Sequence, residues 1–431
     1  MTVAPHERRA LAIAFACNFV LLGSYYILRP LRDTMATVYG VDKLQQLFTA
    51  TFVGTIIGSA IFSALASKIR LTRLLPGVFW FWLLNLALFV VLFRLEPEGR
   101  AVGGSYYVWF SVANLFMISV FWSLMVDVFS SAQATRLFAY IAAGGALGAV
   151  IGPLLTRLLI GRLGISGLLV VAAIGFGIVI VLIHLLMGEK TRLRSHDREA
   201  QQTTLDHSLR GSALEGFGEL LRSPYALSQA AFILLMTWVN TVAYFLQTDV
   251  VARSYTAIAS RAQVFADIDL VVNVCTAATL ILGLGRIVQR FGVTTGLLLN
   301  PLLMIVAFIA TLLAPTIYMI QGLQIIRRVA QYAIARPSRE ICFTVVEQSG
   351  RYKAKNVIDT VVYRFGDVSS AWMQAGFRAI GYGLEGAVAV GVGASIVWSA
   401  SALHLGRNYE RLRLLGLARP PAPDEAVKET V

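Results

Sequence analysis

Twelve apolar runs divide this sequence, each close to the roughly 20 residues that a helix needs to cross a bilayer's hydrocarbon core. They fall at 10–28, 44–67, 74–93, 105–126, 137–160 and 165–187, and again at 225–246, 264–285, 293–314, 316–335, 356–380 and 385–405. A soluble protein carries about 25% charged residues, whereas here 14% are charged and 57% are hydrophobic. The chain therefore reads as an all-α integral membrane protein with twelve transmembrane helices in two six-helix, pseudo-symmetric halves. Residues 1–187 form the first half, 188–224 a polar linker, 225–406 the second half and 407–431 a polar tail.

The basic residues orient this plan. Arg8 and Arg9, Lys68 to Arg73, Arg136, the linker arginines, Arg286 and Arg290, the 336–355 stretch and the tail from Arg407 all fall on one side. Lys and Arg are retained on the cytoplasmic side, so both termini are expected inside, in a cell inner membrane. The net charge of +13 is explained by these flanks, and nucleic acid is not an expected partner because no basic soluble module exists. The first apolar run is too long for a signal peptide.

No phosphate loop, HExxH or nucleophile elbow occurs, which argues against an ATP-driven pump, a zinc hydrolase or another enzyme. Cys17, Cys275 and Cys342 are too scattered for a disulfide framework or zinc site. No cofactor is expected, and a monomer is favoured. On the fifth run Gly144, Gly148 and Gly152 form one face, followed by Pro153. Glycine at that spacing lets helices approach closely.

Ionisable residues inside apolar runs are costly and usually face a cavity or a partner. On the first helix Asn18, Tyr25, Arg29 and Arg32 share one face, and Pro30 should kink or break it. An arginine fork suits a carboxylate or phosphate. The tenth run carries Arg327 and Arg328 at depth, with Gln331 and Arg339 on the face of Arg328 and a bend expected at Pro337. On the eleventh, Arg364 and Asp367 can pair across one turn, either as a structural pair or as an anion contact with its gate. Asp127 and Arg136 are expected to latch the two halves at the cytoplasmic end, and superposing the halves sets Lys353 opposite Arg136.

Several segments together resemble the ATP/ADP translocase family of plastids and intracellular bacteria, a branch related to the major facilitators. They are YYILRPLRDT (25–34), FWSLMVDVFSSAQATRLF (121–138) and QYAIARPSREICFTVVEQSGRYKAKNVIDTVVYRFGD (331–367). The resemblance implies a major-facilitator-like fold and exchange of nucleotides, with Arg32 at the place of the family's helix-one basic residue. This chain departs from the pattern elsewhere. Phe110 and Asn114 stand near the helix-four acid, uncharged residues from Asn240 to Ala243 align with the helix-seven acid, and Asp367 replaces a lysine.

The expected function is secondary transport of an organic or phosphorylated anion, by exchange or co-transport. Tyr25, Arg29, Arg32, Asn240, Arg328 and Arg364 are the substrate candidates, and Asp127, Arg136, Lys353 and Asp367 the coupling or gating candidates. A flippase-like lipid handler, whose arginines would meet headgroups, and a non-transporting sensor are the alternatives. One expectation is directly measurable. In a variant lacking the native cysteines, single cysteines at Ser195 and Thr430 should resist an impermeant thiol reagent in intact cells. Labelling before lysis would reverse the orientation.

Overall fold

The computed structural model describes residues 3–69, 71–196, 218, 220–281, 286–345, 355 and 357–415. Twelve helical spans are seen among them. The first half comprises α1 (Arg8–Tyr39), α2 (Leu44–Lys68), α3 (Leu71–Leu95) and α4 (Arg100–Val128). A continuous Ser131–His196 stretch follows, broken at Gly164, whose φ of 64° and ψ of −172° leave the helical region. Its two parts are α5 (131–163) and α6 (165–196). A straight helix of that length would far exceed the bilayer at 1.5 Å per residue. Ion pairs show that the chain folds back, since Arg136 of α5 meets Glu7 at 2.7 Å and Glu189 of α6 meets Arg9 at 3.2 Å.

The second half begins with α7 (Pro224–Ser254) and α8 (Ile258–Ile281), followed by α9 (Arg286–Leu313), which bends at Gly292. Span α10 joins Ile317–Ala330, a π-helical turn Gln331–Ala335 and Arg336–Cys342. Span α11 opens on a second π turn, Ile358–Val362, and continues as Tyr363–Ala379, and α12 is Leu384–Leu414. Nine described helices are long and apolar enough to cross a membrane. One of these holds both α5 and α6, and the interrupted α10 and α11 complete the twelve.

Each half has its own core. The first packs Leu21, Leu28, Phe79, Phe121, Leu168 and Phe176 among others, and the second packs Phe232, Ile233, Phe308, Val388 and Trp398. A smaller cluster crosses between halves, setting Ala36, Leu44, Leu47 and Tyr107 against Phe245 and Ala371. The outer surface shows Ile57, Ile61, Leu84, Leu88, Val181 and Val306. Such a continuous apolar exterior would be an aggregation liability in water and is what lipid requires.

Several helices outrun their apolar segments. Helix α6 continues to His196 and α12 to Leu414, so parts of the expected linker and tail are helical. Hydropathy marks only the stretch in hydrocarbon, whereas backbone hydrogen bonding continues into water with local pairs such as Glu189–Arg192 at 3.3 Å. Pro30 does not break α1, which is helical from Arg8 to Tyr39. Neighbouring hydroxyls take up carbonyls in this region: Tyr106 donates to Leu28 O at 3.1 Å and Thr156 to Ile27 O at 3.2 Å. Pro30 itself leaves the Tyr26 carbonyl without its helical N–H, and these hydroxyls add bonds to the next two carbonyls and tie α1 to α4 and α5.

The glycine face of α5 lies against α1. A Cβ on Gly148 would stand 2.2 Å from Phe19 O, one on Gly152 2.5 Å from Gly23 O, and one on Gly144 2.5 Å from Phe15 O. The two backbones touch along this seam. Overpacking costs about 1–3 kcal/mol, so Gly148→Ala should lower the unfolding midpoint in detergent by several degrees. Gly177→Ala, with open space around it, should leave the midpoint unchanged.

Candidate functional site

Charged side chains from α1, α8, α10 and α11 converge where the halves meet. Helix α1 contributes Arg29, Arg32 and Asp33, α8 Asp269, α10 Arg327 and Arg328, and α11 Arg364 and Asp367. Asp269 is 1% exposed and serves two arginines. Arg328 Nη1 donates to its Oδ1 at 2.5 Å, and Arg29 Nε of the other half stands 3.7 Å from its Oδ2. Arg32 Nη2 donates to Asp33 Oδ1 at 2.5 Å, and the Tyr244 hydroxyl of α7 donates to the same oxygen at 3.1 Å. Arg364 Nη1 lies 3.5 Å from Asp367 Oδ2, while the Thr241 hydroxyl donates to Oδ1 at 3.3 Å.

Arg327 is held differently. Its Nε and Nη2 donate to Gln324 Oε1 at 3.1 and 2.7 Å, and its Nη1 to Asn240 Oδ1 at 2.7 Å. Gln324 is itself fixed, because its Nε2 donates to Ala243 O at 2.7 Å. Amide oxygens satisfy the guanidinium's hydrogen bonds without cancelling its charge. Among the described residues Arg327 has no carboxylate partner, although it is 9% exposed. With five arginines and three aspartates in the cluster, the site is positive overall.

Arg29 and Arg32 also have aromatic neighbours. Each is largely buried and also lies over an aromatic ring, Arg29 at 5.6 Å from Tyr26 and Arg32 at 5.4 Å from Tyr107. Tyr25, expected on the same face, stacks on Phe110 at 5.2 Å, and Asn18 donates to Ile141 O at 2.9 Å. Asn18 thus ties α1 to α5, while Tyr25 packs on Phe110 of α4 and also lies near Arg29, Arg32 and Asp269.

Asp127 and Arg136, expected to latch the two halves, both have partners in the first half. Asp127 accepts from Lys190 of α6 at 2.5 Å, and Arg136 pairs with Glu7. These contacts tie helices within the first half. Burial works to raise the Glu7 carboxyl's pKa, but the Ala4 N–H and the Arg136 guanidinium outweigh it and hold it below the usual carboxylate range. Lys353 lies outside the described residues. Arg339 does not continue the face of Arg328 toward the site. It pairs with Asp359 of α11 at 3.0 Å, because the intervening π turn adds a residue and rotates the helix beyond it.

Asp269 and Asp33 were not singled out from the sequence, nor were Thr241, Tyr244 and Gln324. An aspartate inside the apolar run of α8 is the same signal that marked Arg364. The polar partners on α7 carry no charge and leave no such mark. Further contacts join the halves around the cluster. Arg261 donates to Thr37 Oγ1 at 3.0 Å, Trp372 to Thr49 Oγ1 at 3.0 Å and Asn273 to Ala149 O at 2.6 Å, and Arg157 pairs with Asp267 at 3.2 Å.

The family model described as Major Facilitator Superfamily matches residues 14–334. No curated protein matches the sequence. Solved structures share the fold at low identity. A bacterial homolog to the human lysosomal transporter Spinster is 14% identical, with a TM-score of 0.57 over 98% of this chain and 100% of that one. The nucleoside transporter NupG is 14% identical with a TM-score of 0.59 over 95% and 99%. A POT family transporter in complex with a thioalcohol-conjugated peptide is 13% identical with a TM-score of 0.61 over 94% and 96%.

The Arg364–Asp367 geometry yields a direct test. Leaving one charge of a buried pair alone is worse than removing both. Arg364→Leu and Asp367→Leu should each lower stability in detergent more than the double variant does. The cycle should show a coupling energy on the order of 1 kcal/mol.

Proposed function

The chain belongs to the Major Facilitator Superfamily, and from that membership we propose that it is a secondary transporter of a small organic or phosphorylated anion. Transport by a membrane protein of this kind is the general function of the fold and family. The anionic substrate is our reading, and Arg327 carries it. A guanidinium buried between helices and cradled, among the described residues, by amide oxygens keeps its charge available to an incoming anion. Arg29, Arg32, Arg328 and Arg364 surround it with further cationic forks, each already biased by one aspartate.

The proposed cycle is alternating access. The two halves, each with its own core, rock about a site near the membrane midplane. The coupling candidates are Asp367 and Asp269, whose partners must be shared with any bound anion. We place the protein in a cell inner membrane with both termini cytoplasmic, on the Lys and Arg asymmetry.

The flippase reading has a specific observation against it. A lateral groove of about 550 Å³ does open toward lipid between α2, α3 and α4. Its described lining, from Gly54 and Ile57 to Trp82, Trp109 and Phe116, does not include the arginines of the cluster, which that reading would have a headgroup meet. Nucleotide exchange is also disfavoured, because Asp367 stands where the resembling family carries a lysine and would repel a polyphosphate at low local dielectric.

Purified protein should gain thermal stability with carboxylates or phosphorylated metabolites, and reconstituted vesicles should accumulate the same compounds. Arg327→Lys keeps the charge and loses the fork, so apparent affinity should fall about tenfold, roughly 1.4 kcal/mol. Arg32→Lys should weaken it in the same direction. ATP/ADP exchange should be weak. A protein stabilised only by cations or neutral solutes, or one with robust saturable ATP/ADP exchange, would overturn the corresponding part of this reading.

A further inference from the structure

Around the proposed anion site, the buried polar atoms without a hydrogen-bond partner among the described residues are of two kinds. Arg328 Nε and Nη2 and Asn240 Nδ2 are donors, while Asp269 Oδ2 is an acceptor. All three residues are more than nine-tenths buried, at 6%, 8% and 1% exposure. Buried polar groups in a functional protein normally find partners; Arg328 and Asp269 are at the inter-half bridge from Arg29, and Asn240 holds the adjacent Arg327. A ligand can supply what the side chains do not supply to one another.

We propose that the transported anion carries a hydroxyl or amino donor next to its anionic group, and that Asp269 reads that donor through Oδ2. This rests on the anion reading given above and narrows it to hydroxy- or amino-bearing anions. The argument follows from charge and reach. The spare Arg328 and Asn240 donors suit carboxylate or phosphate oxygens. An anion without a donor would then face Oδ2 across a short, poorly screened distance, and like charges there repel. Arg29 does not relieve this by hydrogen bonding, because its Nε is 3.7 Å from Oδ2, beyond ordinary hydrogen-bond reach. A ligand hydroxyl or ammonium placed on Oδ2 turns that repulsion into a charge-assisted hydrogen bond. Sites that hydrogen-bond such a group reject the analogue lacking it far more strongly than apolar pockets reject a missing methylene.

Asp269 is also the substrate's internal competitor. It neutralises part of the Arg328 charge at 2.5 Å, so its removal should help a plain anion and hurt discrimination. These two effects run in opposite directions, which a general loss of structure cannot imitate.

The test uses matched probes on the full-length protein: malate against succinate, and glycerol 3-phosphate against n-propyl phosphate. Dissociation constants are measured by thermal shift and by uptake into vesicles. The wild type should favour the hydroxylated member of at least one pair by tenfold or more. In Asp269→Leu the plain member should bind more tightly and the ratio should fall toward unity. Should that variant fail to fold, Asp269→Asn keeps the shape and an acceptor but removes the charge. It should tighten the plain member and lower the ratio at least threefold. Equal binding of both members by the wild type, or a ratio unchanged in a folded variant, would overturn the role of Asp269 and leave the anion reading standing. Binding of none of the four probes, and of no anion in the wider screen of carboxylates, amino acids and phosphorylated metabolites, would overturn the anion reading itself.

Discussion

An ionised side chain cannot stay within hydrocarbon depth without a counter-charge, hydrogen bonds or water, and this constraint organises the molecule. Five arginines and three aspartates share the junction of the two halves. Asp269 on α8 can neutralise Arg29 on α1 only while the halves lie together, and Tyr244 on α7 reaches Asp33 under the same condition. Helix positions therefore follow from charge compensation as much as from apolar packing. A buried ion pair is weak evidence for stability. Retaining so many charges at the junction, where apolar residues would pack more simply, points to a use for them.

The interfaces within and between the halves differ in kind. Helices α1 and α5 meet backbone to backbone along Gly144, Gly148 and Gly152, with no room even for a methyl group. Such a seam does not slide, and it makes α1 part of a rigid half. The same α1 meets α8 and α10 through Arg29 and Asp269, at a distance just beyond a hydrogen bond. Long side chains can exchange partners there while the helices behind them move as bodies. Close packing beside adaptable charge contacts is the mechanical contrast that a rocking transporter needs.

Much of this was legible in the sequence. Twelve apolar runs placed the spans, because hydrocarbon thickness sets a length scale that little else imitates. The break between α5 and α6 at Gly164 fell between the two runs assigned there. Arg29, Arg32, Arg328 and Arg364 were marked by their cost in an apolar segment, and all lie in the cluster. What stayed hidden depended on partners distant in the chain. Gln324 draws no notice until Arg327 is seen resting on it and on Asn240, a residue marked only by its alignment with the family's helix-seven acid. The contacts of Asp127 with Lys190 and of Arg136 with Glu7 likewise join positions that the sequence alone does not bring together.

The two π turns account for what periodicity could not supply. In α10 the turn Gln331–Ala335 precedes Pro337, whose ring would clash with the carbonyl four residues earlier and which has no N–H to give. Widening that turn accommodates the proline and shifts every later residue around the helix axis. Arg328 before the turn thus faces Asp269, while Arg339 after it turns toward Asp359. A uniform period of 3.6 places both arginines on one face, and that assumption failed where the backbone is least regular. In α11 the turn Ile358–Val362 ends one residue before Tyr363 and two before Arg364. Such turns concentrate at functional sites because they relax the helix without ending it. Here one stands at each of the two second-half helices whose arginines set the cluster's positive charge. In the second half, irregular backbone and costly side chains therefore go together, whereas α1 carries Arg29 and Arg32 on an uninterrupted helix.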